Sequence, residues 1–544
     1  MDHIYLTGFM ASGKTTVGQL LATELGRRFI DIDDFIARKS GKSIAEIFND
    51  EGEDEFRRLE KEALREISSL EPAVVATGGG IVTNPENIDL MRRSGIIVNL
   101  GVSLETAVAR ASASSVRRPL IAAAPLLYEA RREAYNLADI RVDTDGRAPD
   151  EVASLIAKHL EDLRLGVTLR IEFPRKTGAY DIIIRPGCMN ELPRALDELG
   201  LSREVVVMSD ETVWGFWGDT LLEGLRARGC KASIYVIPPG EASKNLDTVA
   251  SVYDFLTARK LGRDTVMIAL GGGVVGDTAG FIAATYMRGI PFVQVPTSLL
   301  AQVDSSIGGK VAVDHKQGKN LIGAFYQPRI CLIDPFTLRT LPYREYSQGL
   351  AEVVKCAILS GDEFLELLER EKEAVIAGRP PVLTEVIRRC CVLKAEVVSQ
   401  DERDEGRRMI LNLGHTLAHA LESLTGYGKL THGEAVSIGL VWACRLAWRV
   451  GLAPEGLSER IRNLLTAMRL PVSIPTDISP GISPGGISPE GIIEKMVLDK
   501  KARRGRPRFV LPSRPGEVGV YDDVPDDAVI AAIQDVLVHA DPST

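Results

Sequence analysis

Gly8-Phe-Met-Ala-Ser-Gly13-Lys14-Thr15 spaces two glycines, a lysine and a hydroxyl residue as G-x4-G-K-[ST]. A loop of this kind cradles phosphates: its backbone N–H groups curl around the anion, the following helix N-terminus adds positive potential, and Lys14 reaches the β- and γ-phosphates. The Thr15 hydroxyl is placed to hold Mg²⁺. Asp31 and Asp33 stand two residues apart in FIDID, so a strand end would point both to one face. One can support Mg²⁺ through water, and the other can accept a proton from an attacking hydroxyl. Thr77-Gly78-Gly79-Gly80 follows an apolar run, as a loop does where backbone must approach a substrate.

A second constellation lies far downstream. Of seven histidines, three (His415, His419 and His432) fall in the stretch 415–432. His415 and His419 are four apart and share a helix face, and His432-Gly-Glu434 adds a carboxylate. Imidazole with carboxylate suits Zn²⁺ or a similar ion, although spacing alone leaves open which of these residues ligate. Ala269-Leu-Gly271-Gly-Gly273-Val-Val-Gly276-Asp277 ends a strand pattern and opens a helix, as a pyrophosphate-binding turn does. Asp210, and Glu241 with Lys244, lie at the ends of other strand patterns. Arg288, Asp304, Lys310, Lys319 and Asn320 form a polar, largely basic group beside apolar neighbours, which suits an anion pocket.

These residues need elements to hold them. Residues 3–165 alternate short apolar runs (HIYLT, VVAT, IIVNL) with amphipathic stretches such as 55–67. That rhythm predicts a P-loop domain with a parallel sheet flanked by helices. Ser43-Ile-Ala-Glu46 is a capping box. A boundary is expected near 163–168, giving a first domain of 1–165. Residues 166–325 repeat the strand–helix alternation and predict a Rossmann-like α/β part. Residues 326–544 read as an all-α part, with the Ser-Pro-Gly repeat of 478–492 as an expanded surface loop.

The bulk properties narrow the partners. With 45% hydrophobic and 26% charged residues, the chain has an ordinary globular composition. A net charge of −9 argues against a nucleic-acid partner. No apolar run is long enough for a membrane span, and the N-terminus lacks the basic start of a signal peptide. Seven cysteines without a CxxC pair suit a reducing cytoplasm and no disulfide framework.

The P-loop, the Asp31/Asp33 pair, Glu55-Phe-Arg57-Arg58, the triple glycine and Arg118-Pro119 together resemble shikimate kinase over nearly all of 1–162. The resemblance implies ATP with Mg²⁺ held by Gly8, Gly13, Lys14, Thr15, Thr16 and Asp31. It makes Asp33 the catalytic base, Arg57 and Arg131 the clamp on the shikimate carboxylate, and Gly79 and Gly80 its backbone contacts. Arg118 would close over the transferring phosphoryl group, and Arg110 would lie near the adenine. Two departures stand out. Arg131-Arg-Glu-Ala-Tyr135 replaces the family's R-x-P-L-Y, and the segment between Arg118 and Arg131 is several residues short.

GGGVVGDTAGFIAATYMRG, VPTSLLAQVDSSIGGKVAVDH, GKNLIGAFYQP, GLAEVVKCAI, LNLGHTLAHALE and HGEAVSIGL resemble 3-dehydroquinate synthase throughout 170–540. By that resemblance Glu352, His415 and His432 would ligate Zn²⁺ or Co²⁺, and His419 would lie near the substrate phosphate and assist proton transfer. NAD would be held by Asp210, Glu241, Lys244, Gly272, Gly273, Asp277, Thr297 and Ser298. A phosphorylated, carboxylated substrate would meet Arg288, Asp304, Lys310, Lys319, Asn320, Lys355, Lys394, Arg408, Asn412 and one of Lys500 or Lys501. Asp404 stands where the family usually carries Glu. A homodimer through this part is expected from the resemblance. The alternatives are a cyclase for another sugar phosphate in the second half, and a kinase half that serves only as a binding module.

Overall fold

The computed structural model describes residues 3–113, 124–135, 137–173, 178–404, 406–426, 429–474, 488–497 and 508–537. The chain forms two compact units, Met1–Leu165 with Ala377–Val382, and Gly166–Ile376 with Leu383–Thr544.

The first unit is built on five parallel strands: β1 (His3–Thr7), β2 (Arg28–Asp31), β3 (Ala73–Ala76), β4 (Gly95–Gly101) and β5 (Ile140–Asp143). Their order is β2-β3-β1-β4-β5, so β1 is central. Both faces of the sheet are covered. Ile4 and Leu6 of β1, with Val74, pack against helices Lys14–Glu24 and Pro149–Leu165 through Leu21, Ile156 and Leu160. Tyr5 and Val75 face the other way, toward Phe56 and Leu64 of helix Gly52–Ser68. Successive strand residues therefore serve opposite layers, which is why these strands read as unbroken apolar runs. The Ser43–Glu46 capping box is present at the start of helix Ile44–Asp50.

The second unit begins with a seven-stranded sheet in the order β6-β7-β14-β11-β10-β8-β9. The strands are β6 (Val167–Glu172), β7 (Ala179–Ile184), β8 (Glu204–Asp210), β9 (Lys231–Ile237), β10 (Val266–Gly271), β11 (Phe292–Pro296) and β14 (Ile330–Ile333). The pairs are parallel except β6 with β7. A hairpin, β12 (Lys310–His315) with β13 (Gly318–Phe325), projects between β11 and β14. Because β14 is a sheet strand, the α/β part continues past residue 325. A helical part follows, and it also contains a small hairpin, β15 (Phe509–Arg514) with β16 (Glu517–Tyr521). Short strands of this kind are hidden from a reading of periodicity when helices dominate on both sides. Of the Ser-Pro-Gly repeat, Pro489 opens helix Pro489–Val497, and 478–487 lie outside the described residues. Among the described residues no helix is long and apolar enough to cross a membrane. All seven cysteines are free and buried.

Candidate functional site

In the first unit, the loop from Gly8 to Gly13 joins β1 to helix Lys14–Glu24, with Gly8 at φ 147° and Gly13 at φ 94°. Lys14 Nζ donates to the carbonyls of Gly8 (2.8 Å) and Phe9 (3.1 Å), so the ammonium lies folded over the loop. Thr15 Oγ1 donates to Asp31 Oδ2 at 2.9 Å, which puts the two expected Mg²⁺-site residues side by side. The geometry of Asp33 differs from the strand-end expectation. β2 stops at Asp31, which caps helix Ile32–Ser40 by accepting the Asp33 N–H at 3.1 Å. Asp31 therefore marks the sheet edge and Asp33 the first helical turn, because the capping carboxylate ends the extended stretch.

Asp33 and the triple glycine meet in a small, buried cluster. A Cβ added at Gly78 would lie 2.6 Å from Glu60 Oε1 and 3.4 Å from Asp33 Oδ1; one at Gly80 would lie 2.3 Å from Arg57 Nη2. Only glycine lets the loop approach so closely. Arg57 pairs with Glu60 (2.9 Å) and Glu53 (3.0 Å) from its own helix. Arg131 is buried, on helix Ala124–Tyr135, with Nη1 3.6 Å from the Cβ position of Gly79. Tyr135 donates to the Gly79 carbonyl at 2.6 Å. Asp33 Oδ1 and Glu60 Oε1 are buried without hydrogen-bond partners. Burial, reinforced by Asp31, pushes the Asp33 carboxyl up to about 6. The cluster thus presents two guanidinium groups, a carboxyl poised near neutrality and open backbone.

Arg110 donates to Thr144 Oγ1 (3.1 Å) and its carbonyl (2.7 Å). Thr16 lies in the first turn of helix Lys14–Glu24. Arg118 lies outside the described residues. Glu60 and Tyr135 were not among the expected site residues, although Glu60, three residues after Arg57 on an amphipathic helix, carries a spacing that could have found it.

In the second unit, Glu352 lies within helix Tyr343–Ser360, buried nearly all round. His415 opens helix His415–Thr425 and His432 opens helix His432–Arg449. Two glycines bring these helices together. A Cβ at Gly433 would sit 2.3 Å from the Gln348 Cα, and one at Gly439 would sit 2.0 Å from the Gly414 carbonyl oxygen. Helix His432–Arg449 is therefore in backbone contact with both partners, and the three side chains converge. Their ligand-type atoms all lie within 4.8 Å of one another. Nε2 of His415 and Nε2 of His432 are each 3.5 Å from Glu352 Oε1. That oxygen is buried and accepts no hydrogen bond. Burial disfavours a charged His432, yet Glu352 and Glu422 outweigh it and push the ring up to about 10. His415, buried and near Lys355, is pushed the other way. Two imidazole nitrogens turned toward one buried carboxylate oxygen that accepts no hydrogen bond fit a divalent cation. Lys355 pairs with Glu352 one turn along the helix. Glu434 instead completes a capping box with Thr431.

The remaining expected residues fall into three groups. Lys244 Nζ reaches Asp277 Oδ2 and Asn320 Oδ1, each at 2.6 Å, and Lys319 Nζ lies 3.6 Å from Glu241 Oε1. Asp210 ends β8 and accepts the N–H groups of Thr212 (2.9 Å) and Val213 (3.0 Å). Gly272 links β10 to helix Gly273–Thr285, and its Cβ position is 3.3 Å from Ser298 Oγ. Thr297 N–H donates to the Gly271 carbonyl at 3.0 Å. These residues crowd the strand ends where a dinucleotide would lie.

The second group joins the α/β and helical parts. Lys394 Nζ reaches Asp304 Oδ1 at 2.5 Å, Lys310 Nζ reaches Asp404 Oδ2 at 2.7 Å, and Arg408 donates to the Gly308 carbonyl at 3.2 Å. Asp404 adopts φ 60°, a conformation that Asp tolerates better than Glu. Asn412 Nδ2 donates to the Met409 carbonyl at 3.0 Å. His419 stacks edge-on against His415, with ring centroids 5.5 Å apart.

Arg288 is exposed, just beyond the C-terminal end of helix Gly273–Thr285. Lys500 and Lys501 lie outside the described residues. Glu422, a buried carboxylate facing His432, was missed; its spacing seven after His415 and three after His419 places it on the same helix face.

Three family models match the chain: shikimate kinase over residues 10–161, 3-dehydroquinate synthase N-terminal over 234–348, and 3-dehydroquinate synthase C-terminal over 349–502. A 3-dehydroquinate synthase of Crocosphaera subtropica is 41% identical over 370 residues, covering 68% of this chain and 98% of that protein. One from Pelobacter propionicus is 49% identical over 332 residues, covering 61% of this chain and 90% of that protein. Among solved structures, a 2-epi-5-epi-valiolone synthase of Streptomyces hygroscopicus with NAD⁺ and Zn²⁺ bound is 28% identical. It superposes with a TM-score of 0.60, covering 66% of this chain and 97% of its own.

Proposed function

The chain belongs to the 3-dehydroquinate synthase family and carries a shikimate kinase domain ahead of that part, and from this premise we propose its two reactions. The bifunctional shikimate-pathway enzyme would phosphorylate shikimate with ATP to shikimate 3-phosphate. It would also convert 3-deoxy-D-arabino-heptulosonate 7-phosphate to 3-dehydroquinate and phosphate.

In the kinase unit, Arg57 and Arg131 grip the shikimate carboxylate, since paired guanidinium forks match a planar anion. Gly79 and Gly80 offer backbone, and Asp33 accepts the proton of the attacking hydroxyl. Lys14 would reach the ATP phosphates, and Thr15 with Asp31 would hold Mg²⁺.

In the synthase unit, Glu352, His415 and His432 would hold Zn²⁺ or Co²⁺, and the Gly271–Gly273 turn with Asp210, Glu241, Lys244, Asp277, Thr297 and Ser298 would hold NAD. When bound, the ion supplies a Lewis acid and NAD a hydride acceptor that is regenerated within each cycle. Lys310, Lys355, Lys394, Arg408 and Asn412 supply the charge and hydrogen bonds for a substrate bearing both carboxylate and phosphate. His419, on the His415 helix, would move a proton beside the leaving phosphate. The observation that carries this half is the buried Glu352 oxygen facing two Nε2 atoms at equal distance. The higher identity to 3-dehydroquinate synthases, 41% and 49% against 28% for the valiolone synthase, favours this substrate over other sugar phosphates.

A cytoplasmic setting belongs to the same reading, supported by seven free, buried cysteines; so does a homodimer through the synthase unit, which sedimentation would check. Phosphate release from the heptulosonate phosphate and ADP release with shikimate, assayed on one preparation, test the two activities.

A further inference from the structure

We propose that Glu422 is a positioning residue of the metal centre, holding the His432 ring so that its Nε2 faces Glu352. The inference rests on the proposed ligand set of Glu352, His415 and His432. Both imidazoles present the same atom, Nε2, to the Glu352 carboxylate. Their outward nitrogens meet different partners. His415 Nδ1 lies 3.1 Å from the Leu413 carbonyl oxygen. A carbonyl only accepts, so it fixes the proton on Nδ1 and leaves the Nε2 lone pair facing inward. His432 Nδ1 lies 3.5 Å from Glu422 Oε1. A carboxylate there selects the same tautomer and adds negative charge, which makes the ring a stronger donor to a cation.

The placement of Glu422 is costly unless it has this work. Its side chain is only 9% exposed, where an unpaired carboxylate is strongly disfavoured. His432 Nδ1 is its partner there, and His419 stands one turn before it on the same helix. His415, His419 and Glu422 stand at i, i+4 and i+7, so one helix face delivers one ligand and the support of another.

Titration of the metal-stripped, full-length protein with Co²⁺, read by visible absorption and by competition with a chromophoric chelator, tests the role. Glu422→Gln keeps the acceptor and loses the charge; Glu422→Leu loses both. Co²⁺ affinity is expected to fall about 10- to 100-fold in the glutamine variant and further in the leucine variant, with an altered absorption band and unchanged kinase activity. The near-isosteric glutamine variant keeps the test readable if the leucine variant does not fold. Binding within about twofold of the parent in both variants, while His432→Ala loses the ion, would overturn the role and leave the metal centre standing. Undiminished binding in His432→Ala would overturn the metal assignment itself, and this inference with it.

Discussion

Gly439 packs against Gly414 so closely that a Cβ added at Gly439 would stand 2.0 Å from the Gly414 carbonyl oxygen. Gly414 precedes His415, and Gly439 lies on the helix that His432 opens, so this contact sets the distance between two proposed ligands. Gly439→Ala must push the helices apart. We expect a loss of about 1–3 kcal/mol in the synthase unit, the usual cost of overpacking. Metal binding should fall with it while ADP formation by the kinase unit is retained, and thermal melts with Co²⁺ titration would check both.

Asp33 is the group whose titration should be visible in the kinase. Its carboxyl, raised from 3.8 to about 6 by burial, must be ionised to accept a proton. Kinase kcat/KM should therefore be present at neutral pH and fall as the pH drops through about 6. Asp33→Asn should lose roughly 10²- to 10⁴-fold in kcat. Because the raised carboxyl penalises the ionised folded state above that pH, the same variant should be stabilised at pH 7.5, by about 3 kcal/mol. A pH-rate profile with a matched melting curve would check the pair of signs.

The buried Lys244–Asp277 pair offers a test of the NAD pocket. Burial disfavours the Asp277 carboxylate, and Lys244, 2.6 Å away, counters it. Lys244→Met leaves that charge uncompensated and should destabilise the synthase unit by about 3–5 kcal/mol, with loss of NAD binding. Lys244→Met with Asp277→Asn should recover most of the stability without recovering NAD affinity, which a double-mutant cycle with NAD titration would show.

Arg57→Lys keeps the charge and loses the planar fork. Shikimate KM should rise about tenfold or more with a smaller change in kcat, measured by ADP release, since one charge-assisted hydrogen bond is worth about 1.5–3 kcal/mol.

Much of this arrangement was legible in the residues. The P-loop, the triple glycine and the histidine cluster announced themselves because their chemistry needs particular residue types at fixed spacing. Strand runs such as β3 and β10 were visible because parallel strands covered on both faces are apolar throughout. Other features were not local enough to read. Asp33 sits in a helix and not on a strand, because Asp31 caps that helix. Glu60 and Glu422 look like ordinary charged helix residues until the fold buries them. The close approach at Gly433 and Gly439 depends on which helices meet, and one sequence does not state that.

The central claim is that one chain carries both chemistries, one of them dependent on a metal ion at Glu352, His415 and His432. The most direct measurement is a pair of assays on the purified protein, before and after chelation. One follows phosphate release from 3-deoxy-D-arabino-heptulosonate 7-phosphate with NAD⁺; the other follows ADP formation from ATP, Mg²⁺ and shikimate. The account predicts both activities, with phosphate release lost on removing the tightly bound ion, restored by Zn²⁺ or Co²⁺, and not restored in His415→Ala. Phosphate release that persists without the metal, or that never occurs with this substrate, would contradict it.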